Sequence, residues 1–361
     1  KRQLFIFTGV LYKQLRYIES ADLGFTPEAN LAIVPPHDHH LYSCLPYVEA
    51  IRELPGVESV SEICAGVFTA VFSQLEFPQA GNSESYTTVQ SFDVDAHFVK
   101  TYGITILEGR DFSGKLASDS GRVLINQTGI ETFGFDDPIG KVITDSYGNQ
   151  FEIMGVISDF NIGSLHEKIP PLIIRIRPRE SRVCQVAVNV NEAVDVQEMI
   201  ASLSQKWDEF GPGGRFEYFF MDERFNSLYE EDRRFAKTFG IFTLLAIVLA
   251  SLGLFGFSIF SSFQRLKEVG IRKAFGASTN EITRLILKEY ILLVVIANLI
   301  SWPLSWFFAQ SWLHNYAYRT DIGVALFLLA AVVAILVLLL TIGYNTRTMA
   351  ESNPVISLKY E

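Results

Sequence analysis

The chain has 361 residues, a formal net charge of −10 and 49% hydrophobic residues. That balance lacks the clustered Lys and Arg that phosphate backbones reward, so nucleic acid is not an expected partner. The hydrophobic share is ordinary for the whole, but it is segregated: three long uncharged runs, at 238–264, 290–313 and 322–346, fill the last third.

At the N-terminus, residues 4–11 are apolar but too short to cross a bilayer alone, and they run into 12–19 without a small-residue cleavage pattern. A signal peptide is a poor match. Residues 1–15 are expected to be the outer end of a truncated first membrane helix, with Lys1 and Arg2 snorkelling or marking a junction.

Residues 16–237 are long enough for one or two small cores. His37, Asp38, His39 and His40 form the one metal-like cluster, of a chemistry that suits zinc or nickel. The group follows Pro35 and Pro36 with no helical spacing and reads as a solvated loop. A helix is predicted over 41–54, then a strand over 57–63. Strand-like runs follow at 67–72, 87–92, 104–107, 123–125, 151–157 and 172–176, punctuated by Gly and Pro. His97 sits in a helix-like stretch ending before Gly103. The segment 184–190 alternates as a strand, and 196–210 reads as a helix. Helices flanking strands at both ends predict an α+β domain whose strand-rich centre is inserted between its halves. Cys44, Cys64 and Cys184 cannot all pair with one another.

Residues 221–237 carry an apolar helical face and a Glu230–Arg234 pair at i,i+4 spacing. They form either a continuous helix leading into the first apolar run or an interfacial anchor. The three runs each reach or pass the roughly 20 residues a spanning helix needs. Between the first two, residues 261–290 carry six positive side chains (Arg265, Lys267, Arg272, Lys273, Arg284, Lys288) against three negative ones (Glu268, Glu281, Glu289). The loop at 311–321 holds only Arg319 and Asp321 with His314. The positive-inside rule therefore puts 261–290 in the cytoplasm and 16–237 outside. Residues 238–346 form the membrane domain and 347–361 a cytoplasmic tail.

Chemistry is sparse. No Gly-rich loop followed by Lys and Ser or Thr cradles a nucleotide, and no nucleophile elbow or triad pattern is present. Asn298, Ser301 and Ser305, near Pro303, are too few to line a substrate path. Gly253 and Gly256 are expected to allow close helix packing or a bend. No enzyme is expected.

The sharpest local signal is QRLKEVGIRKAFGA at 264–277. It mixes charges with Val269, Ile271, Ala274 and Phe275, and Gly270 and Gly276 permit close approach or turning. Ser278 and Glu281 have the spacing of a capping box. Such a segment satisfies the positive-inside rule as a plain charged loop, and its exposed apolar residues also suit docking to a cytoplasmic protein.

EVGIRKAFGAS at 268–278, NPVISLKYE at 353–361, GITILEGRDF at 103–112, DPIG at 137–140 and the stretch 155–166 together resemble the FtsX/MacB-type permease family of ABC systems. The resemblance implies a MacB-like periplasmic-core α+β domain joined to an FtsX-like helical permease module, with three complete spans and a truncated first span. It also implies a bacterial inner-membrane location with the large domain facing the periplasm or cell exterior. A separate cytoplasmic ABC ATPase dimer would bind ATP and Mg. This chain would engage it through Glu268, Gly270, Ile271, Arg272, Lys273, Phe275 and Gly276. The other implied partners are a second permease module or homologous half and a periplasmic or outer-envelope protein. The chain resembles the C-terminal module of a duplicated permease. Its implied role is transmission of ATPase cycling to the outer domain, for export or envelope remodelling; the alternative is a membrane-anchored signalling or scaffold protein.

Overall fold

A computed structural model describes residues 2–25, 30–35, 44–64, 67–68, 73–79, 82–114, 119–176, 185–191 and 193–343. The histidine cluster at 37–40, Cys184 and the tail at 347–361 lie outside the described residues. The chain divides into two compact units. Ala21–Tyr229 forms one; Lys1–Ser20 and the chain from Glu230 onward form the other.

The Ala21–Tyr229 unit is α+β. Its strands are β1 (Asn30–Ile33), β2 (Val57–Ile63), β3 (Ser73–Gln79), β4 (Asn82–Val94), β5 (Ile106–Gly109), β6 (Arg122–Asn126), β7 (Val142–Thr144), β8 (Gln150–Ile157), β9 (Leu172–Ile176), β10 (Gln185–Val190) and β11 (Tyr218–Phe220). They make a sheet of order β11-β1-β10-β2-β4-β9-β6-β8-β5, with β3 added to β4 and β7 to β8. The helices are α2 (Leu45–Arg52), α3 (Phe98–Tyr102), α4 (Gln127–Phe133), α5 (Val196–Phe210) and α6 (Met221–Ser227).

Two cores form along this sheet. In α5, Asp195 caps the amides of Gln197 and Glu198, and the buried residues Met199, Leu203 and Trp207 recur every four positions. That stripe faces one way. It packs with Tyr47, Val48 and Ile51 of α2 on Val60, Val186 and Val188. Trp207 meets Tyr47 edge-on at 5.0 Å. The second core joins Phe77, Val89, Val123, Ile125, Ile153 and Ile173, from strands lying between β3 and β9 in sequence. Between the two, β2 and β4 share the single register pair Ile63↔Val94.

The second unit is helical: α1 (Arg2–Glu19), α7 (Glu230–Gln264), α8 (Leu266–Ala274), α9 (Thr279–Leu313) and α10 (Val324–Leu338), the last continued by a π turn at Leu339–Gly343. Three of these segments, Glu230–Gln264, Thr279–Leu313 and Val324–Gly343, are long and apolar enough to cross a membrane. Many of their large apolar residues point outward, as Leu249, Leu252 and Phe263 do, while Thr243, Ser258, Asn298, Ser301 and Ser305 are buried. Lipid-facing helices adopt this inside-out pattern, because the bilayer core solvates Leu and Phe but leaves polar groups to find protein partners.

α1 packs into this bundle. Thr8 and Thr243 share a hydrogen bond of 2.9 Å between their hydroxyls. Phe7 contacts Phe239 and Trp312. At Gly9 a Cβ would fall 2.5 Å from Leu326 Cδ1, so a larger residue there would have to push the Leu326 side chain of α10 aside. The wholly buried Gln14 bridges the α9–α10 turn: its amide donates to the Tyr318 carbonyl at 2.9 Å and accepts from the Thr320 N–H at 2.8 Å.

Several expectations are corrected. Residues 67–68 form a turn rather than the start of a strand. The continuous helix over 221–237 is interrupted at Leu228 and Tyr229, between α6 and α7, where Tyr229 is buried in the α+β unit. Among the described residues, nothing beyond their own stretch of helix lies within 4 Å of where a Cβ would sit on Gly253 or Gly256, so no close packing contact is seen at these glycines. The helix-like stretch around His97 is found as expected: His97 is the N-cap of α3, which ends at the left-handed Gly103.

Candidate coupling joint between two spans

The corner between α7 and α9 is built from local chemistry. α8 stops at Phe275, and Gly276 follows at φ +90°, a conformation that disfavours side chains. The Gly276 N–H donates to the Lys273 carbonyl and the Ala277 N–H to the Arg272 carbonyl, each at 3.0 Å. This is the Schellman pattern that satisfies the last carbonyls of a helix. One residue later Ser278 caps α9. Its side chain accepts from the Glu281 N–H, and the Glu281 carboxylate accepts from the Ser278 N–H at 2.9 Å, completing the capping box.

Inward and outward faces are distinct. Val269 is buried with Ile282, Ile286, Tyr290, Leu338 and Ile342, so α8 folds back on α9 and the end of α10. Gly270 is also buried. Arg265 Nη2 reaches Glu289 Oε2 at 2.7 Å, fastening the end of α7 to α9. On the other side, Arg272 Nη2 pairs with Glu268 Oε1 at 2.9 Å, one helical turn away. Glu268 lies in the first turn and Arg272 and Lys273 in the last. Each therefore sits at the end of the helix dipole it complements.

Charge thus accounts for part of the helix's own stability. It does not account for the apolar groups beside it. Phe275 is 88% exposed and Ile271 50% exposed, four residues apart on one face. Covering a phenyl group is worth about 1.5–3 kcal/mol, and here that gain is uncollected. Of the seven expected site residues, Glu268, Ile271, Arg272 and Phe275 are exposed together, Lys273 is half-buried, Gly276 sets the turn and Gly270 lies inside. Val269 and the Arg265–Glu289 pair were not among the expected residues. Opposite charges at the facing ends of two consecutive spans are the signal that could have marked the pair.

A helical membrane unit interrupted by an α+β domain, with a short amphipathic helix cornering two of its spans, has the layout of a transporter permease. Residues 240–354 match the FtsX-like permease C-terminal family, and residues 5–206, more than half of the chain, match the MacB-like periplasmic core domain family. The chain belongs to the FtsX/MacB-type ABC permeases. It is 23% identical over 230 residues to the macrolide export ATP-binding/permease protein MacB of Mannheimia succiniciproducens, covering 60% of this chain and 35% of that protein. It is 21% identical over 259 residues to the ABC transporter permease YknZ of Bacillus subtilis, covering 69% and 63%. The chain thus spans about a third of the first relative and less than two thirds of the second. The periplasmic region of MacB from Actinobacillus actinomycetemcomitans aligns at 13% identity with a TM-score of 0.44, covering 59% of this chain and 98% of that one.

Proposed function

We propose that this chain transmits the nucleotide cycle of a cytoplasmic ATPase dimer to its Ala21–Tyr229 domain, in the service of export or envelope remodelling. In this reading it lies in a bacterial inner membrane with residues 261–290 inside and the α+β domain outside. ATP and Mg are bound by the ATPase and not by this chain, which is non-catalytic. A second permease module, in the same polypeptide or as a homologous half, completes the assembly, and the outer domain is free to meet an envelope partner. The observation that carries the reading is the face of α8. Exposed Ile271 and Phe275 flank Glu268 and Arg272 on a helix fixed from behind by Val269, closed at its C-terminus by the Gly276 turn and followed at once by the capping box of α9. A stiff, amphipathic knob can both dock and pass on a displacement. Sparse polarity within the spans favours transmission over a pore.

The full chain in lipid nanodiscs should co-purify with an ABC ATPase and raise its ATP turnover. Arg272→Glu with Phe275→Asp should remove both effects while leaving the circular dichroism spectrum unchanged. Retained assembly and turnover in that double variant would place the docking surface elsewhere.

A further inference from the structure

The α+β domain joins the helical unit at two points of the chain, just after α1 and just before α7. Both leads are tied to the same buried loop, residues 159–166, which continues directly from β8. From the α1 side, the Leu23 carbonyl accepts the Asn161 N–H at 2.8 Å. Gly24, at φ +78°, presses on the Asp159 carbonyl, where a Cβ would fall at 2.4 Å. From the α7 side, the Tyr229 hydroxyl accepts the Leu165 N–H at 2.6 Å and the Ser164 hydroxyl at 3.3 Å. The His166 ring stacks on Tyr229 at 5.9 Å.

The two leads are also tied to each other. Phe68 holds φ +58°, rare for an aromatic residue and sustained only where its surroundings impose it. Its N–H donates to the Ile162 carbonyl at 3.0 Å. Its ring lies 5.6 Å from Phe25 on one lead and 5.4 Å from Phe225 on the other. At its start the loop is nailed to α4: Asp159 accepts the Thr128 N–H at 3.0 Å and its hydroxyl at 2.8 Å. Phe160, Ile162, Leu165 and Tyr229 are each at most 4% exposed, far drier than a surface connection.

We propose that residues 159–166 are a transmission strap, which fastens the leads of α1 and α7 into one body and delivers their displacement to β8 and the sheet. Tyr229 is its positioning residue on the α7 side. This rests on the reading above for the source of the displacement, but the strap itself is testable without any ATPase.

Amide hydrogen exchange of the full chain in nanodiscs supplies the first arm. Tyr229→Phe, which keeps the ring, should speed exchange at Leu165 on the order of tenfold, the size of one buried hydrogen bond. It should also speed exchange at Asn161, whose N–H is held by the Leu23 carbonyl on the other lead. Phe25→Leu, on the opposite lead, should reciprocally speed exchange at Leu165. If each substitution loosens only its own anchor, the two leads are independent and the strap is refuted. The second arm uses the co-purified ATPase with ATP and vanadate. Wild type should change exchange along Gln150–Ile157, whereas Tyr229→Phe should keep ATP turnover and lose that change; an undiminished change would overturn the transmission role. No nucleotide response even in wild type would count against ATPase docking, with the reciprocal exchange still deciding the strap.

Discussion

The two units of this chain answer opposite solvents with the same chemistry. In the α+β unit the side chains shielded from solvent are mostly Ile, Val, Leu and Phe, with a few hydrogen-bonded polar groups such as Asn126 and Gln185 among them. In the helical unit many Leu, Phe and Val face outward instead, and hydroxyls and amides are buried between the helices beside Ile, Leu and Ala. Burial in the first is driven by expelling water from apolar surface. In the second, hydrocarbon is already a good solvent for Leu, so contact between helices is held by small residues and hydrogen bonds. Gly9 against Leu326 and the Thr8–Thr243 pair show both devices. Identical exposure figures therefore mean different things in the two units. The uncovered Phe275 of the joint stands out because it belongs to neither pattern.

The largest effect separating the units should come from truncating one apolar residue in each. Trp207→Ala empties the α2–α5 core and strands the Gly214 carbonyl that its indole N–H serves. A loss of about 3–5 kcal/mol is expected. Leu252→Ala trims a residue 62% exposed on the lipid side and should cost less than about 0.5 kcal/mol. Chemical unfolding of the full chain in micelles and nanodiscs measures both. A comparable cost for Leu252 would mean that this face packs on protein in the working assembly.

Next in size is the amide clamp of α1. Gln14→Leu preserves volume but removes the amide that bonds the Tyr318 carbonyl and the Thr320 N–H. The expected loss is about 1–3 kcal/mol, confined to the helical unit. Exchange at Thr320 should rise while exchange within α5 stays unchanged. If α5 also loosens, the two units unfold as one cooperative body.

Much of this contrast was legible in the sequence. Long uncharged runs announce spans because composition alone decides what hydrocarbon tolerates. The strands Val57–Ile63 and Leu172–Ile176 and the helix Val196–Phe210 coincide with the segments predicted, since alternation, turn residues and a four-residue stripe are local signals. The turn geometry of the joint was also legible, through Gly276, Ser278 and Glu281. Long-range ties were not. β1 and β11 are four and three residues long and exist only through their pairing with each other and with β10. The helix break at Leu228 and Tyr229 accompanies a hydrogen bond to Leu165, and the Gln14 clamp follows from contacts more than 300 positions away. Neither leaves a periodic trace.

The smallest effect distinguishes a titrating polar knot in the α+β unit from the non-titrating clamp in the helices. Near the β2–β4 junction, Asp95 accepts the Ser61 hydroxyl at 2.6 Å and pairs with Arg52 at 3.0 Å. Burial raises its carboxyl above the ordinary range, and the hydrogen bonds and charges of Ser61, His97 and Arg52 offset this only in part. A carboxyl whose pKa is raised by folding holds its proton longer in the folded state than in the unfolded one. Its contribution is thus fully present below the ordinary Asp value of about 3.9 and is lost as pH rises through the raised value. Asp95→Asn cannot titrate. The stability deficit of this variant should therefore be greatest near pH 4 and narrow toward neutrality, while the Gln14→Leu deficit stays level across the same series. Unfolding midpoints of both variants against wild type supply the test. A deficit for Asp95→Asn that widens with pH would mean that attraction to Arg52 outweighs the cost of burial, and that this knot behaves as an ion pair rather than as a buried acid.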